Sequence, residues 1–332
     1  MTAHPRILII GVGSIGERHL RCFQSTNRCD LAFCETLAER RESVAGRYGV
    51  AGYAGVEEAM NAESFTAAVI AAPASYHVDL ARQLVAAGLH LLIEKPVSTT
   101  LAGVEELTSL VEAKQAHVTV GYMMRGLPSL KEMKAAIDSG RYGRAVELVV
   151  AAGQNFPFYR PAYREIYYAK RELGGGAIQD GITHHLNASE WLIGPITRLV
   201  ADAEHCVLEG VEVEDTVHVL TRHGSVLGSF SFNQYQPPNE FRITVNCERG
   251  SFRWEMQGQR WYSASEPGGD WKLEAEHQVD RDGFYISQAN QFLDQLEGNA
   301  APLCSLADGV QTLKVNLAAL ESVETGKWVK VK

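Results

Sequence analysis

Residues Gly11-Val12-Gly13-Ser14-Ile15-Gly16 constrain this chain more than any other feature. They sit between the apolar run Arg6 to Ile10 and a helical-looking stretch from Glu17 to Gln24. A Gly-x-Gly-x-x-Gly pattern carries weight only with a strand before it and a helix after it, and here it has both. The first glycine makes the tight turn, the second lets the backbone reach a pyrophosphate, and the third lets strand and helix pack closely. Free N–H groups at the helix start, from Ser14 and Ile15, then hold the phosphates. A glycine-rich turn could be purely structural, but this context favours a bound dinucleotide.

The next strand, Leu31 to Cys34, ends in Glu35. A carboxylate there can accept two hydrogen bonds from an adenosine ribose diol, and its charge repels a 2′-phosphate, which favours NAD over NADP. The plain alternative is that Glu35 starts a helix, where a carboxylate suits the dipole. Arg40 and Arg41 follow, and NADP stays possible if they fold back. Thr36 and Glu39 have capping-box spacing, so the helix is expected to begin at once and carry both arginines away from the ribose.

Strands and helices then alternate with short connections: helix Leu37 to Tyr48 stopped by Gly49, a short helix from Val56 to Met60, and a strand from Ala67 to Ala72 ending at Pro73. Helix Tyr76 to Ala87, strand Leu89 to Ile93, helix Leu101 to Gln115 and strand Val118 to Gly121 complete the set. This order predicts a doubly wound parallel sheet ending near residue 122. The run Leu92-Ile93-Glu94-Lys95-Pro96 delivers a lysine at a strand's carboxyl end, where the proline forbids further ladder pairing. Ligands of open α/β sheets bind at that edge, so Lys95 is placed to meet one. Glu94 and Lys95 could instead mark an exposed strand end. On the loop Ala72 to His77, Pro73 and His77 reach the same edge. There His77 is either a packing residue at the helix start or a cofactor contact.

From Val146 the pattern changes. Six strand-like runs follow, at Val146 to Ala152, Arg198 to Val207, Val213 to Arg222, Ser225 to Asn233, Phe241 to Asn246 and Ser251 to Glu255. Hairpin-like joins at His223-Gly224 and Arg249-Gly250 imply a mostly antiparallel sheet. Such a sheet needs one face covered, and the other often makes a subunit interface. Helices are expected at Pro128 to Ile137, Ile286 to Glu297 and Leu306 to Val323. The segment Gly174-Gly175-Gly176 to Asn187 stands apart. Its glycines allow close backbone approach, and Asp180 and His184, four apart, share a helix face. A carboxylate beside an imidazole orients it and suits it to proton transfer near neutral pH, though a surface ion pair is the plain alternative and His185 a competing histidine. The aromatic and cationic stretch Gln154 to Tyr168 could line a polyol or acidic-sugar pocket, or pack at the sheet edge.

Composition excludes several classes. The 332 residues allow two domains. A formal charge of −9 argues against a nucleic-acid or anionic-membrane surface. Six scattered cysteines, no signal segment and no apolar run of membrane-spanning length point to the cytoplasm. The histidines lack metal-ligand spacing, so no metal is expected.

Taken together, Gly11 to Gly16, Glu94-Lys95-Pro96 and Asp180-x-x-x-His184 behind a glycine run resemble the Gfo/Idh/MocA family. The similarity extends to Pro73 and His77, Trp191-Leu192-Ile193-Gly194 and Glu321-Ser322-x-x-Thr325-Gly326. The resemblance implies an N-terminal Rossmann domain (1–122) and a C-terminal α+β domain (123–332) with a large, mostly antiparallel open sheet that makes a homodimer or homotetramer. It implies NAD(P)-dependent oxidation or reduction of a sugar, sugar-acid or cyclitol carbon. Carried over by position, Lys95 bonds the reacting oxygen, His184 exchanges its proton and Asp180 orients the site. Gly11, Gly13, Ser14, Ile15, Gly16, Glu35, Pro73, His77 and Glu94 are the expected cofactor contacts. Arg125, Tyr163, Thr183 and Asn187 are the candidate substrate contacts. A cis Lys95-Pro96 bond is also implied. One departure is Asn187, where many members have an aspartate; its amide can bond a hydroxyl but adds no charge. Two other functions fit the residues. One is a redox-neutral sugar enzyme that retains its NAD, such as an epimerase, a glycosidase or a sugar–sugar oxidoreductase. The other is a nucleotide-sensing regulator without turnover.

Overall fold

The computed structural model describes residues 4–332. The chain forms two compact units, one holding the residues up to Met123 with Asp280–Val310, the other Met124–Val279 with Gln311–Lys332.

In the first unit six strands alternate with helices: β1 (Arg6–Ile10), β2 (Asp30–Cys34), β3 (Ala51–Tyr53), β4 (Ala67–Ile70), β5 (His90–Ile93) and β6 (Val118–Val120). The intervening helices are α1 (Ser14–Ser25), α2 (Ala38–Tyr48), α3 (Val56–Ala62), α4 (His77–Ala86) and α5 (Val104–Lys114). All the strand pairings are parallel, in the order β3-β2-β1-β4-β5-β6. The order reverses between β1 and β4, which makes their carboxyl ends the natural ligand crevice. Strand β4 has no exposed residue, as expected of a strand covered on both faces. Helix α1 buries Gly16, His19, Leu20 and Phe23, one stripe at helical spacing.

The expected boundary near residue 122 needs an addition. Helix Arg281–Leu296 belongs with the first unit because it packs on α1. Phe292 meets Phe23 edge to face at 6.2 Å, and both are fully buried. Asp282 takes hydrogen bonds from Arg18 and Arg21 at 3.1 and 2.7 Å. Strand β3, only Ala-Gly-Tyr, carries no alternation to read; its backbone pairing with β2 makes it a strand.

The second unit carries a nine-stranded sheet built from β7 (Ala145–Gly153), β8 (Arg198–Glu204), β9 (Thr216–His223), β10 (Val226–Asn233), β11 (Glu240–Cys247), β12 (Gly250–Glu255), β13 (Arg260–Ala264), β14 (Lys272–Glu276) and β15 (Val329–Lys330). The order is β14-β13-β12-β11-β7-β10-β9-β8-β15, and among these pairings only β7 with β10 is parallel. Period-two alternation is clean in β9 and β10, with Val217, Val219, Phe230 and Phe232 inside and Leu220 and Leu227 outside. Strand β14, Lys-Leu-Glu-Ala-Glu, escapes prediction because its charges hide the pattern; they suit an edge strand. No helix among the described residues is long and apolar enough to cross a membrane.

Candidate active site

The glycine turn is built as its spacing requires. Gly11 has φ +82°, and a Cβ there would sit 3.1 Å from the Ala71 carbonyl oxygen at the end of β4. A Cβ on Gly16 would lie 1.8 Å from the Gly11 oxygen, so only glycine lets α1 start this close to β1. Gly13 is different: it caps α1 with no side-chain hydrogen bond, and open space lies where its Cβ would be. Ser14 is exposed and Ile15 half-buried beside it. Amides at a helix start with open space before them fit a pyrophosphate.

Glu35 stands just past β2, buried to 6% exposure. Its Oε2 accepts from the Val12 amide at 3.3 Å and its Oε1 from the Leu37 amide at 3.0 Å. Burial pushes this carboxyl up, but those amides and Arg40 outweigh it and hold it below its usual range. The expected capping box does not form. Helix α2 starts at Ala38 with Leu37 before it, and Glu35, not Thr36, takes the first amide. Nor does the helix carry the arginines away. Arg40 Nη1 lies 3.3 Å from Glu35 Oε2, and Arg41 Nη1 donates to the Glu35 carbonyl at 2.7 Å. Both are in the first turn of α2, whose backbone points them back at β2.

At the same sheet edge, Pro73 is exposed before a 3-10 turn, and His77 is 1% exposed beneath it. The two ring nitrogens of His77 face the Pro96 carbonyl at 2.9 Å and the Ala72 carbonyl at 2.7 Å. The ring therefore joins the loop after β4 to the loop after β5. Burial lowers its pKa, against the pull of those two carbonyls. Lys95, half-buried, follows β5 through a cis Lys95-Pro96 bond. Its amide donates to Glu94 Oε2 at 3.2 Å, while Glu94 Oε1 meets His19 Nε2 at 2.6 Å. Burial pushes Glu94 up; the His19 bond and the Lys95 charge outweigh it and keep it low. So Glu94 braces the lysine's backbone from below. The sequence reading missed His19, although its place in the buried stripe of α1 was the available signal.

In the second unit the glycine run is a packing necessity. A Cβ on Gly175 would be 2.1 Å from the Tyr168 carbonyl oxygen, and one on Gly176 2.5 Å from Glu214 Oε1. The chain then enters a π-helical stretch, Ala177–Ile182, that runs into helix Thr183–Ile193. Wide turns of this kind recur at functional sites. Asp180 lies in that stretch and accepts a hydrogen bond from the Tyr167 hydroxyl at 2.7 Å. His184 is half-buried; His185 is buried against Phe232 and Phe241, with ring centroids 5.1 and 4.0 Å away. Burial lowers His185 to about 4, so it is a neutral core group.

The four candidate substrate contacts are deep. Arg125 Nε donates to Asn187 Oδ1 at 2.9 Å, Asn187 Nδ2 to Thr312 Oγ1 at 2.9 Å, and Thr312 to the buried Glu190 at 2.8 Å. Asn187 is 1% exposed, and this relay uses its amide on both sides. Thr183, fully buried, accepts from Asn316 at 2.8 Å. Tyr163 donates to the Glu209 carbonyl at 2.6 Å and packs in a cluster with Phe156 and Tyr168.

Residues 5–122 match the model of an oxidoreductase family with an NAD-binding Rossmann fold, and residues 130–253 match the GFO/IDH/MocA C-terminal domain. The chain belongs to the Gfo/Idh/MocA family. It is an NAD-binding oxidoreductase of that family, and the glycine turn and Glu35 fit the cofactor. Among Gfo/Idh/MocA relatives, inositol 2-dehydrogenase of Rhizobium meliloti (strain 1021) is 25% identical, covering 98% of this chain and 99% of its own. The match to the rhizopine catabolism protein MocA of Rhizobium meliloti is 27% identical but spans 57% of each chain. Of solved structures, levoglucosan dehydrogenase with NADH and levoglucosan superposes with TM-score 0.89 at 19% identity, covering 99% of this chain and all of that one. WlbA dehydrogenase of Bordetella pertussis, with NADH and UDP-GlcNAcA, gives 0.86 at 22%, covering 100% and 99%.

Proposed function

We propose that this chain moves a hydride between nicotinamide and a hydroxyl-bearing carbon of a sugar, sugar acid or cyclitol. The observation that carries the reading is Lys95, delivered by β5 to the sheet edge that also bears the glycine turn and Glu35. A relative named for inositol, and structural neighbours in complex with levoglucosan or UDP-GlcNAcA, support the substrate class.

When bound, NAD supplies the hydride acceptor. The rest falls to side chains. As the substrate carbon loses its hydride, the hydroxyl oxygen loses its proton to the His184 imidazole. The ammonium of Lys95 bonds that oxygen and offsets the charge it would otherwise gain. Asp180 orients the imidazole, and the Glu94–His19 bond fixes the strand end that presents the lysine. Gly11, Gly13, Ser14, Ile15 and Gly16 would hold the pyrophosphate and Glu35 the adenosine ribose, and Arg40 beside Glu35 leaves NADP accessible. Pro73 and His77 shape the loop alongside. We assign Arg125 and Asn187, with Thr183 and Tyr163 behind them, to the wall of the substrate site. The chain works as a homodimer or homotetramer through the outer face of its nine-stranded sheet, and six free cysteines fit a cytoplasmic setting.

The test is NAD reduction against a panel of sugars, cyclitols and sugar acids, followed by nicotinamide absorbance. In Lys95→Ala, turnover should fall by about 100-fold or more, with NAD affinity by calorimetry unchanged. Undiminished turnover in that variant refutes the mechanism. Purified protein that retains NAD yet gives no net reduction points instead to the redox-neutral enzyme.

A further inference from the structure

Tyr167 and Tyr168 are neighbours with opposite environments. Tyr168 is fully buried, stacks near Phe156 and bonds Gln234 through its hydroxyl. Tyr167 is 40% exposed, and its hydroxyl reaches across the turn to Asp180 Oδ1 at 2.7 Å.

Other bonds also hold the turn. Glu214 clamps it from below, accepting from Arg171 Nη2 at 2.9 Å and from the Ile178 amide at 3.0 Å. The Glu214 carbonyl takes the Ala177 amide at 2.8 Å, and Gln179 Nε2 donates to the Arg171 carbonyl at 3.1 Å. Four ties already join residues 171–179. A fifth, from the 40% exposed Tyr167, fixes one oxygen of one carboxylate.

We propose that Tyr167 is a positioning residue for Asp180. Its hydroxyl bonds Oδ1 and sets the plane in which the carboxylate orients the proton-transfer imidazole. This rests on the role given to Asp180 above. A carboxylate free to rotate would leave the imidazole loosely held, and small misplacements of reacting groups are costly.

The experiment compares Tyr167→Phe, Asp180→Ala and the double variant with the parent. Tyr167→Phe should lower kcat roughly 10- to 100-fold, with KM, NAD affinity and the thermal midpoint nearly unchanged. In the Asp180→Ala background the same change should have no further effect on kcat, because a positioning role runs through that carboxylate. Unchanged kcat, or an equal loss in both backgrounds, overturns the proposal. A readout independent of turnover uses protein labelled with 13C at tyrosine Cζ. The resonance absent from Tyr167→Phe should shift in Asp180→Ala, and a resonance that stays put overturns the proposal even if no substrate is found. Parent protein inactive on every substrate, with that shift present, would instead sink the dehydrogenase reading and keep the Tyr167–Asp180 bond.

Discussion

His184 and His185 are adjacent in sequence and differ in everything that matters for chemistry. A helix turns them about 100° apart, which puts one ring between Phe232 and Phe241 and leaves the other half-buried. His185, held at about 4, stays neutral where an unfolded chain would take up a proton below about 6.5. Its contribution to stability is therefore full above pH 6.5 and is lost as pH falls toward 4. His77 and His223, lowered by burial, act in the same direction. Urea unfolding of His185→Phe should show a stability that falls less steeply between pH 6 and pH 4.5, by up to about 1.4 kcal/mol per pH unit. An unchanged slope would mean that His185 is not buried neutral. Which histidine is buried was not legible in the sequence, because the two point to different faces of the helix and only the packing partners Phe232 and Phe241 show which face is inside.

Among the elements, the glycine run before the π-helical stretch shows how far a sequence pattern can be read. Three consecutive glycines announce close approach, but what approaches comes from elsewhere: the Tyr168 carbonyl and the Glu214 carboxylate. Gly176 and Gly194 separate the two costs of losing a glycine. Both have positive φ, +91° and +100°, yet a Cβ on Gly176 would meet Glu214 at 2.5 Å and one on Gly194 would meet nothing within 4 Å. Gly194→Ala should cost the backbone strain alone, roughly 1–3 kcal/mol. Gly176→Ala should cost more and should also lower turnover, since Glu214 anchors the segment that carries Asp180. Equal losses in chemical denaturation would mean that the clash relaxes freely. Helix α2 teaches the reverse lesson. Thr36 and Glu39 have the right spacing for a capping box, but the helix starts at Ala38 with Leu37 as its cap, so Thr36 is not the capping residue, and Glu35 takes the Leu37 amide.

For the whole molecule, the nine-stranded sheet carries exposed apolar side chains on its outer face. Leu220 and Leu227 on β9 and β10 are 52% and 49% exposed, on neighbouring strands and the same face. Apolar side chains in that position suit a self-complementary interface. In the assembly proposed above, Leu220→Arg with Leu227→Arg should give monomer in sedimentation velocity while leaving NAD binding in place. A parent protein that is already monomeric would remove the sheet from consideration as an interface.

Local patterns fixed much of this protein in advance. The glycine turn, strand–helix alternation and the lysine before Pro96 depend on residues near one another in sequence, where backbone geometry alone dictates the outcome. That is why a doubly wound parallel sheet and the edge carrying Gly11, Glu35 and Lys95 could be read without coordinates, though the strand order could not. Tertiary structure decided what depends on distant partners. Glu94 became a brace because His19 lies beside it, Arg40 turned to Glu35, Tyr167 found Asp180, and Asn187 was drawn into a relay ending at Glu190. Polar groups removed from water must find partners, and which partner is within reach is set by how strands and helices stack, a quantity no short stretch of sequence contains.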